Sequence, residues 1–205
     1  MKSDQVLSLH LRLLVLAWLL IYIPAYFMAY GGWHFLQLCN LGVLISCAGI
    51  LSANSLLISS QAVATPVIGI FWLVDFLARL ITGRFIHAGT AYMWDTSIPL
   101  LVRVLSLYHI VLPLLLIYCL RKAAYDKRGF AVQAGIAMLV MLASLFAFSE
   151  SENLNYVYHW PGGRILFGQP YLHVLISFLL LILVYWPSHY LLKSIWMKRV
   201  LVQAK

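Results

Sequence analysis

Six long apolar stretches, separated only by short polar segments, leave this chain of 205 residues few ways to fold. A helix needs about 20 apolar residues to cross the hydrocarbon core, and every backbone polar group inside it must be paired within the protein. Residues 8–30, 33–58, 62–83, 97–121, 129–149 and 171–195 meet that length and take up nearly all of the chain. The runs are uninterrupted, whereas barrel strands would alternate over about ten residues. With 63% apolar and 10% charged residues and a mean hydropathy of +0.92, no stretch is left for a soluble domain. The first run is too long for a signal peptide and no small-residue cleavage pattern follows it, so it is read as a span. The expected fold is all-α, a polytopic membrane protein forming a six-transmembrane-helix bundle in one domain over residues 1–205. Gly31-Gly32 and Pro161-Gly162-Gly163 fall between spans, as turns should.

A net charge of +8 could suggest nucleic acid, but the basic residues sort by topology. Lys2, Arg12, Arg121, Lys122, Lys127, Arg128, Lys193, Lys198, Arg199 and Lys205 fall on the side of the N-terminus. Arg79, Arg84 and Arg164 fall on the other, with Arg103 inside a span. The positive-inside rule then puts both termini in the cytoplasm, as for a protein of the bacterial inner membrane. The charge reads as orientation and attraction to anionic lipid: the expected partners are membrane lipids, not nucleic acid, and a homo-oligomer is compatible with the sequence.

The polar groups within the spans are few. Cys39, Cys47 and Cys119 form no disulfide framework, and Cys39 and Cys47 lie two turns apart on one expected helix, too far to bridge. At about 100° per residue, His34, Gln37, Asn40, Cys47 and Asn54 share a broad stripe that Cys39 flanks. Such a stripe reads as hydrogen-bonded helix glue or as one wall of a site. Asp75 and Arg79 stand at i,i+4, where opposite charges can pair. An ionisable group at mid-membrane costs about 2.5–3.5 kcal/mol, so the alternatives are an ion pair pinning helices, with Arg103 as a second cation near Asp75, and a functional interior. Arg103, Ser106 and His109 lie along one arc, and Pro113 is expected to kink the helix one turn beyond. His109 can be a general base, a proton relay or a hydrogen-bond partner.

The segment from Ser149 to Arg164 is dense in polar and aromatic groups, Asn155 and Tyr156 among them. It reads either as the cap of an outward-opening site or as an interfacial aromatic belt. His87, Trp94 and Asp95 in the preceding outer loop admit the same two readings, and His173 at the start of the last span is within reach of either loop. No metal-ligand spacing and no Gly-rich phosphate loop occurs, so neither a metal nor a cofactor is expected.

Gln37-Leu38-Cys39-Asn40, Tyr108-His109 followed by Leu112-Pro113-Leu114, and Asn153-Leu154-Asn155-Tyr156-Val157-Tyr158 resemble, in order and spacing, the six-helix YwaF-like membrane proteins. That group is similar to a eukaryotic transmembrane phospholipid acyltransferase and, more distantly, to androgen-induced hydrolases of fatty-acid esters. The resemblance implies a nucleophile from the second helix and a histidine base from the fourth, positions that Cys39 and His109 match. Gln37 stands where a histidine commonly precedes the cysteine in that family.

The chemistry this implies is a thiol activated by an adjacent base. Gln37 or Asn40 would support the oxyanion with Ser106 beside them, and His34, Asp75, Arg79, Arg103, Asn155 and Tyr156 would orient the base or hold a lipid headgroup. The expected function is an outward-facing intramembrane lipid acyl hydrolase or acyltransferase using Cys39 and His109. The alternative is a non-catalytic binding or transport protein for a small amphiphile or lipid, in which Asp75, Arg103 and His109 contact the cargo.

Overall fold

The computed structural model describes residues 7–160 and 169–203, with side chains to residue 196. The expected turn Pro161-Gly162-Gly163, Arg164, Lys2 and Lys205 therefore lie outside the described residues, as do the side chains of Lys198 and Arg199. The chain forms α1 (Leu9–Tyr30), α2 (Leu38–Ser52), α3 (Ser55–Thr82), α4 (Leu100–Leu105), α5 (Tyr108–Ala123), α6 (Gly129–Ala147) and α7 (Pro170–Gln203). Among the described residues, five membrane-length apolar helices, counting Leu100–Ala123 as one, accompany the shorter α2. This is a helical membrane bundle of about six helices.

α3 occupies the middle, packed on α2, α5, α6 and α7, and most extensively on α5. Two glycines let its neighbours approach. A Cβ on Gly129 at the start of α6 would come within 2.8 Å of the Ser59 and Ser60 backbone. A Cβ on Gly69 would run into the backbone carbonyl of His109 and lie 3.2 Å from the Pro113 ring. Pro113 has no N–H to offer that carbonyl four residues back, so the contact with Gly69 occurs where α5 leaves a backbone acceptor open. Gly69→Ala should therefore destabilise the protein by about 1–3 kcal/mol through overpacking, read as a lowered unfolding temperature in lipid nanodiscs.

Several expected boundaries move, the furthest being the end of the span expected over 171–195, which continues as α7 to Gln203. The second span was expected over 33–58, but α2 begins at Leu38 and ends at Ser52. Ala53 takes a left-handed conformation (φ 51°), and the Asn54 side chain accepts from the Leu56 and Leu57 N–H groups to cap α3. Capping by a short polar side chain thus ends one helix and starts the next within an apolar stretch. α3 consequently starts at Ser55, seven residues ahead of the expected 62. The fourth span is interrupted at Ser106 and Leu107, ahead of the kink expected at Pro113, which α5 accommodates inside its length.

The Asp75–Arg79 ion pair does not form. Asp75, with no exposed surface, accepts from the N–H groups of Ile86 and His87 through one oxygen (2.8 and 2.9 Å). The other accepts from the Thr90 N–H and hydroxyl (2.9 and 2.7 Å). Arg79 turns instead to the Gly83 carbonyl and the Phe85 ring, and Arg103 to the Met93 carbonyl. Four donors thus satisfy the carboxylate without a guanidinium, and Asp75 organises the 86–90 loop.

Candidate functional site

The site is built where α2 begins. The N–H groups of Leu38, Cys39 and Asn40 have no partner one turn back, because Leu41 is the first to bond to a carbonyl of the preceding turn, that of Gln37. Gln37 itself is extended (φ −63°, ψ 130°) and makes no side-chain cap. Asn155 supplies the cap from a distance: its Oδ1 accepts from the Leu38 N–H at 2.7 Å, and its Nδ2 donates to the Leu36 carbonyl and the Ser144 hydroxyl. That leaves the N–H groups of Cys39 and Asn40 at the positive end of α2, with the Tyr108 hydroxyl also close to the Cys39 thiol.

Asn40 is 2% exposed and joins three helices. Its Oδ1 accepts from the hydroxyls of Tyr22 and Tyr108, both at 2.9 Å. Its Nδ2 donates to the His34 carbonyl at 3.1 Å and to Gln37 Oε1 at 3.5 Å. With its amide so engaged, Asn40 holds the polar core together and has no hydrogen left for an oxyanion. Ser106 is similarly committed, to the Tyr26 hydroxyl and the Val102 carbonyl. Gln37 differs, since its Nε2 makes no hydrogen bond to a described residue.

His109 lies flat between two aromatic rings, 5.0 Å from Trp72 and nearly parallel to it, and 4.2 Å from Tyr108. Its Nδ1 is 2.8 Å from the Ser106 carbonyl, which can only accept, so the proton sits on Nδ1 and the lone pair on Nε2. Trp72 is fixed in turn by donating to the Tyr92 hydroxyl at 2.9 Å, and burial pushes the Tyr92 hydroxyl up so that it stays protonated.

Two cavities meet here. One, of about 950 Å3, is polar and aromatic, reaching from Tyr30 and His34 across to His87 and Tyr92. The other, of about 340 Å3, is largely apolar and runs down among α3, α5, α6 and α7 to Gln61, Gln133 and Tyr185. Gln37, Cys39, Tyr108, His109, Tyr156 and Trp160 are on the walls of both. Cys39 and His109 thus share the junction, although no hydrogen bond joins them.

The remaining candidates lie elsewhere or do other work. Neither Arg79 nor Arg103 is on the wall of either of these two cavities, and Asp75 is spent on its loop, so none of the three reaches a ligand bound in them. His34 lines the polar cavity stacked on Tyr30, with its Nδ1 buried and unpartnered among the described residues. Asn155 positions the start of α2. Tyr156 lines both cavities in a left-handed backbone conformation (φ 56°) that is strained for an aromatic residue. His173 is 3.0 Å from the Tyr156 carbonyl, Tyr158 donates to the Leu145 and Phe148 carbonyls, and Trp160 donates to Ser177, so residues 153–160 are tied over this end of the bundle.

Sequence reading missed Trp72, Tyr92, Gln61, Gln133 and the hub role of Asn40. Gln133 carried a signal, since an amide within an apolar span must find a partner, whereas Gln61 stood in the connection expected between spans and joins a helix only because α3 starts at Ser55. The aromatic residues carried none, being indistinguishable by type from those facing lipid. No protein-family model, no curated protein and no solved structure matches this chain.

Proposed function

We propose that this protein is an intramembrane lipid acyl hydrolase or acyltransferase in which Cys39 is the nucleophile and His109 the base. The observation that carries this reading is the position of both residues at the junction of a polar cavity and an apolar one. An ester bound there would keep its alcohol part in the polar cavity and its acyl chain in the apolar cavity, with the carbonyl at the thiol. The resemblance to YwaF-like proteins points the same way.

In the proposed reaction Cys39 Sγ forms a bond to the ester carbonyl carbon as the thiol proton passes to His109 Nε2. The carbonyl electron pair moves onto oxygen, facing the N–H groups of Cys39 and Asn40 and the Gln37 amide; donors so placed are worth about 2.7–4 kcal/mol each in a soluble protease. Collapse breaks the carbon–oxygen bond, and the alcohol leaves with the proton from His109. Water or an acceptor hydroxyl, deprotonated by His109, then attacks the thioester and frees the thiol. Hydrogen bonds of this kind are often long before substrate binds, which accommodates the open Cys39–His109 pair.

The basic residues on the side of the termini support an inner-membrane location with both termini cytoplasmic. The site then opens outward, and membrane lipids are the substrates. The second reading is a non-catalytic binding protein for a lipid or small amphiphile, favoured by the absence of a Cys39–His109 hydrogen bond.

Protein in nanodiscs, mixed with phospholipids and simple fatty esters and quenched in acid, should carry an acyl group on Cys39. Neutral hydroxylamine should remove it, and Cys39→Ala should never acquire it. Wild type that yields neither adduct nor released product would overturn catalysis in favour of the binding reading.

A further inference from the structure

The apolar cavity has a floor. Gln61 on α3, Gln133 on α6 and Tyr185 on α7 are 2%, 3% and 2% exposed. Gln61 Nε2 donates to Gln133 Oε1 at 2.9 Å and to the Ser60 hydroxyl at 3.0 Å, and Gln133 Nε2 donates to the Tyr185 hydroxyl at 3.4 Å. A hydrogen-bonded bar therefore crosses three helices beneath walls formed by Ala64, Leu112, Met141, Leu181 and Val184. An acyl chain that pushed the bar aside would strand buried amides without partners. Among apolar walls, this is the place where a growing chain stops gaining.

Two helix intervals and the cavity volume give the room above the bar. Gln61 precedes Gly69, which abuts the His109 carbonyl, by eight residues of α3. Ser177, which receives the Trp160 indole N–H near the junction, precedes Tyr185 by eight residues of α7. Either interval is about 12 Å between backbone positions at 1.5 Å per residue, and the bar slopes, since on the α2 side Gln61 Oε1 lies 3.1 Å from where a Cβ on Gly42 would stand, one turn from Leu38. At the ~30 Å3 that a water-sized group occupies in a liquid, a cavity of about 340 Å3 holds about eleven such groups.

We infer that the cavity is an acyl site for chains of about ten carbons, and that Gln61, Gln133 and Tyr185 set this limit. The inference rests on the reading of the apolar cavity as the place of an acyl chain. It does not require Cys39 to react, so it can be tested apart from catalysis.

A homologous series of N-alkanoyl amides, which present the chain without a cleavable ester, would be competed for the nanodisc-embedded protein and the bound fraction read by native mass spectrometry. Affinity should climb by about fourfold per methylene, the gain for burying one methylene group, and stop climbing near ten carbons. Gln133→Ala should move that break roughly two methylenes longer and Ala64→Leu roughly three shorter, in line with the side-chain volume removed or added at ~30 Å3 per group. The break should persist in Cys39→Ala.

Affinity that rises unbroken to long-chain amides, or a break that stays put in whichever of the two cavity variants folds, would overturn the inference. If the break moves as expected but no acyl adduct forms, the chain site stands and catalysis fails. An adduct without a break gives the reverse.

Discussion

Asp75→Ala is expected to destabilise the protein by about 2–4 kcal/mol, whereas Arg79→Ala should cost about 1 kcal/mol or less. The carboxylate accepts from three backbone N–H groups and the Thr90 hydroxyl, and both Asp75 and Thr90 are fully buried. Truncation leaves the Thr90 donors without a partner and without water, while the N–H groups of the more exposed Ile86 and His87 are partly compensated by solvent. Arg79 loses only its contacts with the Gly83 carbonyl and the half-buried Phe85 ring. Asp75→Asn should fall between, because the amide keeps one oxygen for two donors and turns its own N–H groups towards the rest. Unfolding in nanodiscs, followed by loss of the circular dichroism of the helices, measures all three. Equal losses in Asp75→Ala and Arg79→Ala would mean that the two residues act as an ion pair.

This contrast also marks where sequence reasoning stops. Hydropathy found both ends of α1 and α6 and the start of α7 to within two residues, because span length is dictated by the bilayer and carried by many residues together, while α7 runs eight residues past the expected 195, to Gln203. It could not divide α2 from α3, since Ala53 and Asn54 sit in an apolar run and the division depends on one side chain capping two N–H groups. The helical wheel set Cys39 aside from Gln37 and Asn40 by assuming one continuous helix from residue 33. A short 3-10 turn over Gly32–Leu36 and the extended Gln37 break that periodicity, so Gln37 and Cys39 reach the same cavities.

The charged residues were the least legible. Asp75, Arg79 and Arg103 stood out because charge in a span is costly, yet spacing at i,i+4 identifies only who could meet. Competing backbone donors in the 86–90 loop, eleven or more residues away in sequence, took the carboxylate. His109 was recognisable as a candidate base, but its tautomer depends on the Ser106 carbonyl and its ring plane on Trp72, neither of which follows from its own position in the chain.

Cys39→Ala and His109→Ala should each lower acyl turnover by about 10⁴-fold or more while leaving the fold intact, since nucleophile and base act as a unit. The double variant should be no slower than Cys39→Ala, because a base has nothing to activate once the thiol is gone. Neither residue carries the hub of the site: Asn40 keeps its bonds to Tyr22 and Tyr108 in both variants, so both should fold, with the unfolding temperature nearly unchanged in Cys39→Ala and lowered in His109→Ala, which removes a ring stacked between Trp72 and Tyr108. Asn155→Ala provides the contrasting case. It removes the remote cap from Leu38 and frees the 153–160 segment from Ser144, so it should impair turnover through the geometry at Cys39 while the acyl adduct still forms. Steady-state release of fatty acid, measured beside the adduct on intact protein, separates the two effects. A His109→Ala protein that turns over at the wild-type rate would remove the base from the mechanism, and loss of the fold in that variant would assign His109 to the Trp72–Tyr108 stack instead.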